Sequence, residues 1–155
     1  MSAKRTSEAD ETVIELEQRI EAAPEIVFSF LVEPERYRRW MGVAAKLDPR
    51  PGGAFLVRVN EVAVASGEYL VVDPPHRLVM TWGWEGSEDV PPGPSTVEWT
   101  LQPDGEATIL RLRHTGLPNE EQRTQHAHGW THFVGRLAVA GAGGDPGPDP
   151  MASAG

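Results

Sequence analysis

The chain of 155 residues contains no cysteine. That absence removes disulfides, thiolate nucleophiles and cysteine-ligated zinc together, and it suits a reducing compartment. Basic residues are also scarce: 14 Lys and Arg stand against 23 Asp and Glu, for a net charge of −9. Nucleic acid and anionic membrane both reward basic patches, so neither is an expected partner. No apolar run approaches the roughly 18 residues that a membrane span requires. The opening MSAKRTSEADET lacks the apolar core of a secretory signal. A cytoplasmic protein is expected, with one domain, because this length supports one sizeable core and not two.

What the sequence does contain is 39% hydrophobic residues, five tryptophans among them. The ends do not share in this. Residues 1–11 are polar, and 141–155 consist almost entirely of Gly, Pro, Ala, Asp and Ser. Neither segment can bury enough apolar area to offset its ordering entropy, so both are expected to be disordered tails around a folded domain at 12–140.

Within those limits the hydrophobic period changes repeatedly. TVIELEQRI sets Ile14, Leu16 and Ile20 against Glu15, Glu17 and Arg19, the alternation of a strand. Pro24 opens PEIVFSFLV, where Ile26, Val27, Phe30 and Leu31 have helical spacing, and Pro34 opens a second short helix, PERYRRW. After the DPRPGG turn come the strands AFLVRVN and VAVASGEYLVVD, the latter broken by DPPH. HRLVMTWGW alternates through Leu78, Met80, Trp82 and Trp84, and EGSEDVPPGPS is a loop. TVEWTLQP alternates through Val97, Trp99 and Leu101, and Asp104-Gly105 signals a hairpin to EATILRLRHT. One long helical pattern closes the domain, with Asn119 as N-cap, acids in its first turn and Arg136 late. Consecutive hairpin-linked strands with helices on one side give an α+β fold: an antiparallel sheet of six or seven strands covered by the terminal helix.

In this order the segments IEAAPEIVFSFLVEPERYRRWMG, DPRPGGAFLVRV, GEYLVVDPPHRLVMTWGWE and LRHTGLPNEEQRTQHAHGWTHFVGRL resemble the START-like, or SRPBCC, superfamily. They are most similar to proteins related to the C-terminal domain of the activator of Hsp 90 ATPase. The resemblance implies a helix-grip fold, a curved sheet wrapped around the C-terminal helix, often with an apolar cavity between them. Superfamily members include lipid and hormone binders and polyketide cyclases, so the fold alone fixes no chemistry. In many relatives two aromatics follow the basic pair. Here Trp40 is followed by Met41 and Gly42, which implies a more open or more flexible cavity mouth near Trp40.

Three histidines surround one tryptophan in TQHAHGWTHFVGRL. At about 100° per residue, His126, Trp130, Phe133 and Leu137 share one side of the helix, and His128 and His132 share the other. The three cannot converge on one ion. His128 and His132 have i, i+4 spacing, but the residue after His128 is Gly129 and no third ligand is evident, so no metal site is expected. His126 faces the sheet and His114 has the strand parity of Leu110 and Leu112. Either is a packing histidine or a polar contact, and a proton carrier in the second case. His76, in the DPPH turn, reads as surface. Met80, Trp82, Trp84 and Trp99 share the concave strand face, opposite Trp130 and Phe133. With Trp40, His114 and His126 these side chains form the expected ligand cavity.

No paired carboxylates, nucleophile elbow, phosphate loop or dinucleotide fingerprint is present, and no cofactor is expected. Glu15, Glu17, Glu98 and Arg113 point outward by parity, whereas Glu68 and Glu85 sit where they could reach a cavity mouth. The expected function is binding of a small apolar or aromatic molecule, lipid-like or polyketide-like, without chemistry. The alternatives are a cyclase-like or hydrolase-like enzyme with His126 or His114 as general acid–base, and an ATPase-activating co-chaperone inherited from the family name. A homodimer remains compatible with all three.

Overall fold

A computed structural model describes residues 13–150. The tail expected at 1–11, and the last five residues of the tail expected at 141–155, lie outside the described residues. Seven strands form one antiparallel sheet: β1 (Ile14–Ile20), β2 (Ala44–Leu47), β3 (Ala54–Arg58), β4 (Val64–Asp73), β5 (Arg77–Trp84), β6 (Ser95–Asp104) and β7 (Ala107–Thr115). Their order is β1-β7-β6-β5-β4-β3-β2. Two short helices, α1 (Pro24–Val32) and α2 (Pro34–Tyr37), follow β1, and α3 (Glu120–Gly141) closes the fold. This is the expected α+β helix-grip arrangement, an open curved sheet against a C-terminal helix.

Local chemistry explains the elements. Pro24 and Pro34 stand at the first turns of α1 and α2, where a missing N–H costs nothing. The Asn119 side chain accepts from the Gln122 amide at 2.9 Å and so caps α3. Gly105, with φ +63°, turns β6 into β7. At Gly83 a Cβ would lie 2.2 Å from the backbone nitrogen of Pro92, so only glycine lets the Pro-rich loop after β5 fold back on that strand. The Trp84 amide holds the same loop through the Val90 carbonyl at 2.8 Å.

Alternation sorts the two faces. On the outer face Glu15 pairs with Arg113, Glu17 with Arg111 and Glu98 with Arg77. These exposed pairs set register more than stability, each being worth about 0–1 kcal/mol. The inner face packs Tyr69, Leu78, Met80, Val97, Trp99, Leu110 and Leu112 against Trp130, Phe133, Val134 and Leu137 of α3. α1 and α2 close one end of this core with Phe28, Phe30, Leu31 and Tyr37. No described helix is long and apolar enough to cross a membrane.

One strand escapes the sequence pattern. β2 has only four residues, too few to display a period, and it forms one edge of the sheet. The described part of the C-terminal segment also makes contacts. His132 Nε2 lies 2.8 Å from an oxygen of Asp149, and Arg136 donates both to the Trp40 carbonyl and to the Pro146 carbonyl. These contacts are made by polar side chains, which leave no hydrophobic period in the sequence.

Candidate functional site

The first half of α3 passes over the end of β5 and the turn between β3 and β4. A cleft of about 490 Å³ opens there, within the range of small-molecule sites. Trp82, Trp84, Trp130 and Phe133 form an aromatic wall, and Met41, Val59 and Ala63 complete the apolar lining. Asn60, Ser87, Gln122, Gln125, His126 and His128 supply the polar lining. Asn60 is held by its own turn, its side-chain oxygen accepting from the amides of Val62 and Ala63 at 3.0 and 2.8 Å. No Asp, Glu, Lys or Arg lines the cleft, in a protein of net charge −9.

Of the nine residues expected around a cavity, Trp82, Trp84, His126, Trp130 and Phe133 do line it. Trp40, Met80, Trp99 and His114 do not: all four are buried in the core. Strand parity identifies the concave face but not how far along the helix a residue falls, and these four lie where packing is closed. Trp40 packs against Tyr37 with the rings tilted, meets the edge of Trp99 and donates its indole N–H to the Phe30 carbonyl at 2.8 Å. The cavity mouth is therefore not at Trp40; the following residue, Met41, reaches the cleft instead.

His126 is half-buried, less covered than the helical wheel implies, and His132 is also half-buried because Asp149 covers it. His128 is exposed, as expected, and stands at the rim. His76 is on the surface. Glu68 and Glu85 do not line the cleft; Glu85 accepts instead from the Ser66 hydroxyl. Among the described residues, no group of three His, Cys, Asp or Glu side chains could hold a metal ion.

The two imidazoles beside the wall have defined hydrogen-bonding states. The Ser95 hydroxyl donates to the Trp82 carbonyl at 2.6 Å, so its oxygen is the acceptor for His114 Nε2–H at 3.0 Å. His114 Nδ1 is left as the acceptor for the Trp130 indole N–H at 2.9 Å. His126 has the opposite tautomer. The Gln122 carbonyl can only accept, so Nδ1 donates to it at 2.8 Å, and Nε2 accepts the Trp84 indole N–H at 3.0 Å. All four ring nitrogens are engaged. The rings lie edge to face with centroids 5.4 Å apart. Burial, and secondarily the neighbouring His126, pushes the His114 pKa down to about 3. Burial also lowers that of His126, against the opposing pull of the Gln122 carbonyl.

This arrangement fixes the aromatic wall. Each histidine takes the N–H of one cleft tryptophan, which satisfies a buried donor and sets the plane of the ring. Each imidazole lone pair is taken by an indole N–H. Sequence reasoning missed Ser95, taken as the end of a loop, and the polar lining. Gln122 and Gln125 lie one turn and one residue before His126, so extending the wheel toward the start of α3 would have found them.

The family model described as "Activator of Hsp90 ATPase homolog 1-like protein" matches residues 21–141. Among solved structures, the AHSA1-like protein RHE_CH02687 from Rhizobium etli is 47% identical, with TM-score 0.73, covering 90% of this chain and 87% of its own. CalU16 from Micromonospora echinospora is 32% identical, with TM-score 0.69 and coverages of 84% and 76%. DynU16, from the dynemicin biosynthetic locus, is 28% identical with TM-score 0.75; the match covers 87% of this chain and 49% of that one. No curated protein matches the sequence.

Proposed function

The chain belongs to the activator of Hsp90 ATPase homolog 1-like family, and we propose that within it this protein is a cytoplasmic carrier or sensor that takes a small apolar or aromatic molecule into the cleft beneath α3. The observation that carries the reading is the aromatic wall held by histidines with no nitrogen to spare. Such a wall offers flat apolar surface in fixed orientation, which lowers the ordering cost of binding. A general acid–base role for His126 or His114 gains nothing from the same geometry, because both rings already bond through both nitrogens. The co-chaperone reading rests on the family description alone. The 28% identical relative from a biosynthetic locus favours a small-molecule partner.

The test is a panel of uncharged aromatic and acyl compounds read by thermal unfolding and native mass spectrometry. A ligand at a hundredfold excess over its dissociation constant raises stability by about 2.7 kcal/mol. A panel that leaves both the melting temperature and the mass unchanged overturns the proposal.

A further inference from the structure

The two bonds between tryptophan and imidazole differ in where they lie. His114 and its bond to Trp130 are buried in the core. His126 and Trp84 are half-buried, and both line the cleft. Their bond joins the end of β5 to α3 and so ties two walls of the cleft together. Trp84 also anchors the loop after β5 through the Val90 carbonyl, and Ser87 of that loop reaches the lining.

The bond between Trp84 and His126 exists in one protonation state only. Nδ1 of His126 donates to the Gln122 carbonyl, so Nε2 takes the Trp84 N–H on its one lone pair. A proton added to the ring lands on that lone pair and sets two donors against each other across 3.0 Å. No Asp, Glu, Lys or Arg of the lining offsets this. From β7, the His114 ring faces His126 edge to face at 5.4 Å. β5 presents Trp84, whose neighbour Glu85 accepts from the Ser66 hydroxyl. On α3 itself, Glu121 accepts from the Gln125 amide, and the exposed His128 stands at the rim.

We propose that His126 is an acid-sensitive clasp: protonation of its Nε2 breaks the bond to Trp84, parts β5 from α3 at the cleft wall and releases an uncharged ligand. The release rests on the binding function proposed above; the clasp does not. Burial favours the neutral ring and lowers its pKa from 6.5. The clasp therefore holds at neutral pH and opens as pH falls below that value. His114, with a pKa of about 3, keeps its bond to Trp130 as the clasp opens.

The free full-length chain tests the clasp without any ligand, through its indole N–H and imidazole C–H resonances between pH 8 and pH 4.5. The Trp84 indole proton moves upfield with the midpoint of the His126 ring, and further than that of Trp130. His126→Gln, which does not titrate, abolishes the Trp84 transition; the wild-type midpoints decide the matter if that variant does not fold. A Trp84 resonance that stays still, one that follows His128 instead, or a His126 ring that remains neutral to pH 4.5 overturns the clasp. 9-Fluorenone carries no titrating group, and tryptophan fluorescence reads its binding. Wild type binds it about fivefold more weakly at pH 5 than at pH 8, the net worth of one hydrogen bond. His126→Gln binds it equally at both. Unchanged wild-type affinity overturns the release while leaving the binding function standing. Failure of the whole panel to bind at pH 8 overturns the binding function and the release with it, and the Trp84 resonance still decides the clasp.

Discussion

Acid sensitivity follows directly from the buried histidine. His114 is fully buried between β6, β5 and α3, facing Ser95, Trp82, Trp130 and His126. Its pKa falls from 6.5 to about 3 on folding. The folded value is the lower one, so the unfolded chain takes up the proton first. The stability contribution is therefore complete above pH 6.5 and is lost as pH falls toward 3. At about 1.4 kcal/mol per pH unit, the loss from this group is about 2 kcal/mol at pH 5. His126 adds to it in the same direction. The assay is urea unfolding at pH 8 and pH 5 of wild type and of His114→Gln, which does not titrate. The variant starts less stable at pH 8, because either the Trp130 indole or the Ser95 hydroxyl loses its imidazole partner. Its difference between the two pH values is smaller than that of wild type by about 2 kcal/mol. An equally steep acid loss in both proteins would refute the assignment of acid sensitivity to this imidazole.

Other perturbations probe the remaining elements. Trp130→Ala removes a 3% exposed ring packed on Trp82 and Trp99, and urea unfolding should register a loss of about 3–5 kcal/mol. Trp40→Phe leaves the buried Phe30 carbonyl without its indole donor; stability drops by about 1–3 kcal/mol, while affinity for a cleft ligand stays unchanged. Asp149→Ala breaks the contact with His132 and lowers stability at pH 6 by about 1 kcal/mol, whereas a tail without packing would register no change. Zinc or nickel leaves the melting temperature of wild type and of His128→Ala alike; a rise confined to wild type would restore the i, i+4 metal site.

The residues that announced the fold were those whose pattern is local. Alternation in Leu78 to Trp84 and Val97 to Leu101, the prolines at 24 and 34, the Asp104-Gly105 turn and the Asn119 cap each act over a few residues, and each stands where local chemistry requires. The site depends on pairings that no local period encodes. Trp84 meets His126 across 42 residues, and His114 meets Ser95 across 19. Parity placed Trp82 and Trp99 on the same concave face correctly. It could not say that Trp82 borders the cleft while Trp99 lies wedged between Trp40 and Trp130. The docking of Asp149 on His132 is likewise a polar contact within a segment whose composition carries no packing signal.

The five tryptophans offer the most direct test of ligand binding beneath α3, because each indole N–H gives its own resonance and only three of the rings border the cleft. With 9-fluorenone in excess, the largest shifts should fall on Trp82, Trp84 and Trp130, and the smallest on Trp40, whose N–H is bonded to the Phe30 carbonyl. Shifts centred on Trp40, or five unmoved resonances with fluorenone and with every other uncharged compound of the panel, would contradict a ligand site beneath α3.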